Sequence, residues 1–353
     1  MSILLKRRWK IIKHYCIGWT IAFLYLGIIR GLGTEESIGP LPMNLSTSFI
    51  IAIIVGPFLG FISGTVQILI EERLYKRAPI IKILIIRLGF VALIFFTLIV
   101  IVHQLVTIYT GEKIDFFLAA FSKSAFAISI YILSVDVLLS IFRQVSLMIG
   151  ENNFGKLLQG RFYNPTVEQR IFMFIDLRSS TTLAEKLGHV RYSMLIQDCF
   201  NDLGVISEFD AEIYQYVGDE AVITWKFPHG IKNQNCLKAF YAFKTQLEQR
   251  AEYYSEKYGC TPFFKAGAHT GIVMATEVGK YKKEIAYHGD TMNTAARIQG
   301  KCNEYKEELL ISKDLMEQMD TKVFHFESLG KLPLRGKDEG VKIYSVKEFR
   351  DPL

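Results

Sequence analysis

The stretch IFMFIDLRSSTTLAEKLG (residues 171–188) decides the fold of the C-terminal half of this chain. Residues 170–177 are a compact apolar run of strand length. The residues from 180 to about 208 predict a helix in two pieces, broken at Gly188. A strand that leads directly into a helix predicts a domain in which the two kinds of element alternate.

The alternation continues through the rest of the C-terminal half. Residues 213–217 and 220–225 are predicted strands, and Gly218-Asp219 between them forms a hairpin turn with glycine at the position of positive φ. The remaining predicted elements are a helix at 234–258, strands at 263–276 and 284–288, a helix at 291–302, and strands at 309–311 and 341–346. The pattern predicts an α/β or α+β sandwich of roughly 190 residues.

Two acidic residues lie where predicted strands end. Asp176 ends the first strand, and Asp219 lies in the turn of a hairpin that can pack beside it. Both carboxylates then project from one sheet edge, a geometry suited to hard cations such as Mg²⁺. Each residue also has a purely structural interpretation, Asp176 as a cap of the next helix and Asp219 as an ordinary turn residue.

The segment GDTMNTAAR (residues 289–297) predicts the start of a helix. Asp290 or Thr291 is expected to cap this helix, and Asn293 and Arg297, four residues apart, share one face. Two alanines precede Arg297 and let the helix approach another surface closely. The alternative interpretation of Arg297 is a solvated surface charge.

Five segments in order resemble the motifs of class III nucleotidyl cyclases. They are FIDLRSST (174–181), YVGDEA (216–221), HTG (269–271), GDTMNTAAR (289–297) and LRGK (334–337). Together they are a specific signal, although each motif alone is weak. The resemblance covers about residues 165–348 and implies a ferredoxin-like βαββαβ core with additions, which agrees with the predicted order of elements.

The resemblance implies the chemistry of nucleoside triphosphate cyclisation and assigns residues to it. Two divalent metal ions, Mg²⁺ or Mn²⁺, would lie at Asp176, Leu177 and Asp219. Arg297 matches the arginine that stabilises the transition state, and Asn293 matches the residue that orients the ribose. Lys337 is expected to contact the triphosphate, although Lys331 and Arg335 are close by and could serve instead.

The positions that read the base in this family are Gln215 and Ala286 in this sequence. Adenylate cyclases commonly have Lys at the first and Asp or Thr at the second, and guanylate-type enzymes usually have an acidic residue at the first. A glutamine amide both donates and accepts, so Gln215 could read either purine. ATP is the favoured substrate on family grounds, with GTP or a pyrimidine nucleotide as the alternatives.

Two other functions compete with this one. A diguanylate cyclase is similar in its VGDEA turn, but that family has no counterpart to residues 289–297 and the hairpin before them. A non-catalytic membrane receptor that only binds nucleotide is the other alternative, and the intact metal and arginine positions argue against it. Because the family's sites lie between two cyclase units and this chain has one, a homodimer is expected.

The N-terminal residues 1–149 predict a membrane domain. Half of the 353 residues are hydrophobic, and the mean hydropathy is +0.22. Four apolar runs, at about 15–32, 49–70, 80–106 and 116–142, are near or above the roughly 20 residues that cross a bilayer as a helix. Lys and Arg concentrate before the first run, between the second and third, and after the fourth, which predicts a multi-pass inner-membrane protein with both termini in the cytoplasm.

Charged residues inside these runs need a partner or a function. Arg87 and Asp136 lie at comparable depth, so we expect them to pair, either for packing or as part of a signal-sensing site. The net charge of +6 follows largely from the basic clusters beside the spans, so no nucleic-acid partner is expected. Five cysteines without metal-ligand spacing predict reduced thiols. Residues 150–164 are a predicted linker before the cyclase domain at 165–353. The sequence does not identify the signal that the membrane domain receives.

Overall fold

The computed structural model describes residues 3–33, 45–73, 80–110, 123–149, 160, 163–333 and 340–348. The chain divides into two compact units, which we call the N-terminal unit (residues 1–149) and the C-terminal unit (residues 150–353). Most of the predicted linker at 150–164 lies outside the described residues, and so does Lys337.

The structure describes four long helices in the N-terminal unit. Their bounds are α1 Ile3–Gly33, α2 Leu45–Arg73, α3 Ile80–Thr110 and α4 Lys123–Ile149. Among the described residues, three segments are long and apolar enough to cross a membrane: Arg8–Ile29, Ser48–Glu72 and Phe126–Met148. The predicted span at 80–106 coincides with α3, and its crossing of the membrane stays a prediction.

Small residues on α2 allow α1 and α2 to pack closely. Gly56, Gly60 and Gly64 are spaced four residues apart, so they form one stripe along the helix. A Cβ atom at Gly60 would lie 2.3 Å from the Cα atom of Cys16 on α1. Glycine is therefore required there, because any side chain would force the two helices apart.

The predicted pairing of Arg87 and Asp136 is confirmed. Arg87 Nη1 lies 3.0 Å from Asp136 Oδ2, and Arg87 Nη2 donates to the hydroxyl of Tyr15 and the amide oxygen of Gln67, at 2.8 and 2.9 Å. The hydroxyl of Ser63 donates to the other carboxylate oxygen of Asp136 at 2.6 Å. Because these residues come from α1, α2, α3 and α4, the buried charges connect all four helices.

The C-terminal unit is built on a mixed eight-stranded sheet. Its strands are β1 Thr166–Leu177, β2 Glu212–Val217, β3 Glu220–Lys226, β4 Phe264–Val278, β5 Glu284–His288, β6 Leu309–Ser312, β7 Phe324–Leu332 and β8 Val341–Glu348. The order is β2-β3-β1-β4-β6-β8-β7, and β5 pairs with β4. The antiparallel set β2-β3-β1-β4 is the arrangement of a ferredoxin-like core, so the expected α+β fold is confirmed.

The described helices of the C-terminal unit range in length from 4 to 23 residues. They are α5 Ser180–Asp202, α6 Phe227–Ile231, α7 Asn235–Gln249, α8 Ala251–Tyr258, α9 Asp290–Gly300, α10 Cys302–Tyr305 and α11 Lys313–Met316. The predicted break at Gly188 is confirmed, since its φ of 71° is not helical. The single helix predicted at 234–258 is wrong, because the chain leaves helical geometry at Arg250, where φ is −106°.

Both faces of the central strand β1 are covered, and they carry different residues. Ile171, Met173 and Ile175 pack into the larger core cluster, with Trp225 and Phe240. The alternate residues pack into a second cluster on the opposite face. Its members on β1, β4 and α9 include Phe172, Phe174, Val273 and Ala295. Because side chains alternate along a strand, Asp176 belongs to the face that α9 covers.

The strand β7 was not predicted from the sequence. It pairs with β8 at the end of the sheet, and only its first and last residues, Phe324 and Leu332, are buried. An edge strand without a clear alternation of apolar and polar residues gives little pattern to detect. The register shift before Gly330 interrupts what alternation there is.

Candidate active site

The structure brings the predicted acidic residues to one sheet edge. Asp176 lies near the end of β1, directly opposite Glu220 on β3 and Lys265 on β4. Asp219 precedes Glu220 in the hairpin turn, where Gly218 has the predicted positive φ of 63°. Three carboxylates and one ammonium group are therefore gathered around a single strand end.

Two of these acids, Asp176 and Glu220, have pKa values above their usual range. Burial raises the pKa of Asp176 above its usual value, the neighbouring Lys265 opposes this rise, and the charge of Asp219 adds to it. Burial, and then the charges of Asp176 and Asp219, also raise the pKa of Glu220. Ionised carboxylates this close together repel one another, and a cation bound between them would offset the repulsion.

One carboxylate oxygen in this cluster has no protein partner. Asp219 Oδ2 is buried, and no donor among the described residues reaches it. Buried polar atoms are otherwise almost always hydrogen-bonded, so an unsatisfied acidic oxygen fits a position for a hard cation.

The two aspartates do not form a complete metal cage by themselves. Within the described part of the chain, no group of three or more His, Cys, Asp or Glu side chains is placed to hold a metal ion. Mg²⁺ is commonly bound by one or two carboxylates together with substrate phosphates and water. The side chain of Leu177 is apolar and buried in the larger core, so this residue could contact a metal ion only through its backbone carbonyl.

Asp176 does not cap the helix that follows it. The residue at the N-cap position of α5 is Ser179. The carboxylate of Asp176 instead lies 3.2 Å from Lys265 Nζ and accepts a hydrogen bond from Gln299 Nε2 at 3.1 Å. Neither partner was identified from the sequence, although a lysine inside the buried strand FFKAGAH (263–269) was a signal that could have been used.

The helix α9 presents the predicted Asn293 and Arg297 together. Both side chains are exposed, while Ala295 and Ile298 on the inner face are fully buried. The predicted cap was wrong: Gly289, with a φ of 142°, takes the N-cap position, and Asp290 is the first helical residue. The hydroxyl of Thr291 donates to the carbonyl of Ile272 at 2.9 Å and so ties the start of the helix to β4.

The two predicted base-reading positions lie on strands joined by aromatic contacts. Gln215 is exposed on β2, and Ala286 is half-buried on β5. Their neighbours Tyr214 and Tyr287 meet in a T-shaped contact with ring centroids 5.1 Å apart. This ring contact links β2 to β5, and Ala286 has no polar side chain.

Comparison with known proteins agrees with this geometry. Residues 162–348 match the model of the adenylate and guanylate cyclase catalytic domain, which is more than half of the chain. The chain therefore belongs to the class III adenylate and guanylate cyclase family.

Two relatives of this chain are named as cyclases. The chain is 34% identical over 201 residues to adenylate cyclase 2 of Rhizobium meliloti and 27% identical over 209 residues to a receptor-type guanylate cyclase of Caenorhabditis elegans. These alignments cover 56% and 57% of this chain. The chain spans about half the length of the first relative, 55%, and 18% of the second.

A solved structure supports the fold. A bacterial light-regulated adenylyl cyclase superimposes with a TM-score of 0.55 at 17% sequence identity. The match covers 66% of this chain and 69% of that one. At this level of identity, the likeness shows the fold alone.

Proposed function

We propose that the chain is a membrane-bound adenylate cyclase that converts ATP to the 3′,5′-cyclic monophosphate and pyrophosphate. The observation that carries this proposal is the buried, unsatisfied oxygen of Asp219 beside the carboxylate of Asp176. In a chain of the cyclase family, this acidic edge is the place where divalent metal ions and the triphosphate would meet.

The reaction is an in-line displacement at the α-phosphorus. The bond from the ribose 3′-oxygen to the α-phosphorus forms, and the bond from the α-phosphorus to the bridging oxygen breaks, with its electron pair leaving on pyrophosphate. The hydroxyl gives up its proton to solvent water. Two Mg²⁺ or Mn²⁺ ions held by Asp176, Asp219 and the carbonyl of Leu177 would lower the pKa of that hydroxyl and bind the triphosphate.

The residues of α9 act on the rest of the substrate. Arg297 donates hydrogen bonds to the α-phosphoryl oxygens, where negative charge grows in the transition state. Asn293 orients the ribose by hydrogen bonding, and it can do so together with Arg297 because the two share an exposed helix face. Lys337, which lies outside the described residues, contacts the triphosphate.

The preference for ATP is supported by relatives rather than by the base-reading residues. The relative with 34% identity is named an adenylate cyclase. Gln215 supplies one amide that can donate to and accept from a purine edge, while Ala286 supplies no polar group. GTP is the second candidate, supported by the guanylate cyclase relative.

The site is completed by a second copy of the chain. In the proposed homodimer, Asp176 and Asp219 of one protomer face Asn293 and Arg297 of its partner, which gives two equivalent sites. The helices of the N-terminal unit hold the protomers in one membrane plane and raise their effective concentration.

Both termini are proposed to be cytoplasmic. Basic residues cluster on the side of the helices assigned to the cytoplasm: Lys6, Arg7, Arg8, Lys10, Lys13, Arg73, Lys76, Arg77, Lys82 and Arg143. The two opposite loops contain Glu35, Glu36, Glu112 and Asp115 with Lys113 as their basic residue. This asymmetry supports the orientation.

The test is to incubate the full chain in detergent with each nucleoside triphosphate and Mn²⁺, and to identify products by mass. Cyclic AMP and pyrophosphate in equal amounts are the expected result. Absence of pyrophosphate with every nucleotide would favour the non-catalytic receptor instead. A cyclic product formed faster from GTP would keep the mechanism and overturn the assigned substrate.

A further inference from the structure

The carboxylate of Asp176 is held by two donors that come from different elements. Lys265 Nζ and Gln299 Nε2 both approach the same oxygen, Oδ2, at 3.2 and 3.1 Å. Lys265 is 8% exposed and Gln299 is 6% exposed, so neither side chain is a loose surface group.

The backbone brings both donors to this oxygen. Lys265 is the direct cross-strand neighbour of Asp176 in the antiparallel pair of β1 and β4, so the two side chains lie on the same face of the sheet. Gln299 reaches that face because α9 presses directly on β4 at Gly267. A Cβ atom at Gly267 would lie only 2.1 Å from the backbone nitrogen of Gln299.

The contacts leave the two carboxylate oxygens of Asp176 in different situations. Oδ2 receives both the ammonium group and the amide, while within the described residues no hydrogen bond or ion pair of this side chain involves Oδ1. Because two donors hold Oδ2 in place, the direction in which Oδ1 points is also defined. The same lysine also acts on Glu220, whose ionisation it favours.

We propose that Lys265 and Gln299 form a clamp that positions Asp176 for its metal ion, and that Lys265 also competes with that ion electrostatically. The inference rests on the proposed function in taking Asp176 as a metal ligand. In the metal-free chain, the Lys265 ammonium offsets part of the charge of Asp176 and Glu220. A divalent cation that binds beside Asp176 must therefore do so against this positive charge.

The two members of the clamp have separable effects. Removal of the Lys265 charge removes a repulsion from the incoming cation, so the affinity for a metal ion rises even though one tether is lost. Removal of the Gln299 amide changes no charge but leaves the carboxylate held by Lys265 alone, so its orientation is less well defined and the affinity falls. If Lys265 and Gln299 only stabilised the fold, replacing them would change the stability of the chain. The two replacements would not shift the affinity for a metal ion in opposite directions.

The experiment measures binding of Mn²⁺ alone to the full chain in detergent, with free Mn²⁺ followed by electron paramagnetic resonance. Lys265→Gln, which keeps a donor without the charge, is expected to bind Mn²⁺ about fivefold more tightly than the wild type. Lys265→Arg is the charge-preserving control and is expected to stay within about twofold. Gln299→Leu is expected to bind about threefold or more weakly.

Thermal unfolding of every variant is measured in parallel, and Lys265→Met replaces Lys265→Gln if the latter does not fold. Unchanged or weaker Mn²⁺ binding by a folded, uncharged Lys265 variant overturns the competing role. Unchanged binding by Gln299→Leu overturns the positioning role. If the wild-type chain binds Mn²⁺ no better than Asp219→Asn does, the metal site of the proposed function is itself wrong, which is a different failure.

Discussion

Each unit of the molecule contains an aspartate with a buried carboxylate oxygen. The two aspartates differ in whether that oxygen has a hydrogen-bond donor. Asp136 in the N-terminal unit has both carboxylate oxygens satisfied, Oδ1 by the Ser63 hydroxyl and Oδ2 by Arg87. Asp219 in the C-terminal unit has a buried Oδ2 with no donor within the described residues. The first acid has the environment of a structural group, and the second has that of a binding site.

The comparison rests on the cost of burial. A buried charge that is paired and hydrogen-bonded can hold helices in register, although replacing the whole pair by apolar residues often costs little. A buried acidic oxygen without a donor is unfavourable in the absence of a cation. The C-terminal unit therefore gives up stability at Asp219, as we expect for the proposed metal site, where a bound cation would offset the loss.

The largest expected effect follows replacement of the two carboxylates proposed to bind metal. Asp176→Ala and Asp219→Ala should each lower cyclase activity by at least about a thousandfold, about 4 kcal/mol of transition-state stabilisation. Neither change should unfold the C-terminal unit, because neither side chain belongs to its core clusters and the proposed role of both is metal binding. Retention of activity within about tenfold of wild type, in product assays on folded protein, would show that the metal assignment is wrong.

The paired acid of the N-terminal unit should respond differently to single and double replacement. Arg87→Met leaves the Asp136 charge without its partner and should destabilise the N-terminal unit by about 3 kcal/mol. The double variant Arg87→Met with Asp136→Leu should recover most of that loss, since no charge is left buried. Calorimetry in detergent measures both, and equal destabilisation by the single and double variants would contradict a structural pair.

The surroundings of Asp136 were predicted from the sequence more completely than those of the acids in the C-terminal unit. Arg87 and Asp136 were paired correctly because intramembrane charges at similar depth have few other partners. The hairpin that carries Asp219 followed from Gly218, where a positive φ suits glycine. The clamp of Lys265 and Gln299 was missed, because it depends on the exact register of β1 with β4 and on the close approach of α9 at Gly267.

Complementation between variants should recover about a quarter of the activity. Asp219→Ala and Arg297→Ala are each expected to be nearly inactive alone. When co-expressed, half of the randomly paired dimers are mixed, and one of the two sites in each mixed dimer has all its parts. Differential tags establish that mixed dimers are present, and an inactive mixed sample would place Asp219 and Arg297 in one site of a single chain.

The smallest expected effect concerns Glu220 and pH. Because the pKa of Glu220 is raised in the folded chain, its ionised form is disfavoured there, and its contribution to stability is lost as pH rises through that pKa. Glu220→Gln should therefore unfold about 1 to 2 °C higher than the wild type at pH 7 without metal, after allowance for solvent screening. The difference in unfolding temperature between Glu220→Gln and the wild type should shrink toward pH 4. An equal difference at both pH values would show that it does not come from the charge of Glu220.

The most direct measurement is the effect of Mn²⁺ alone on thermal unfolding of the C-terminal unit, made on the full chain in detergent. A ligand that binds only the folded state stabilises it, so Mn²⁺ should raise the unfolding temperature of the wild type and of Asp136→Asn. It should leave Asp219→Asn unchanged. A Mn²⁺-dependent rise in Asp219→Asn equal to that of the wild type would contradict the claim that this unsatisfied acid forms the metal site.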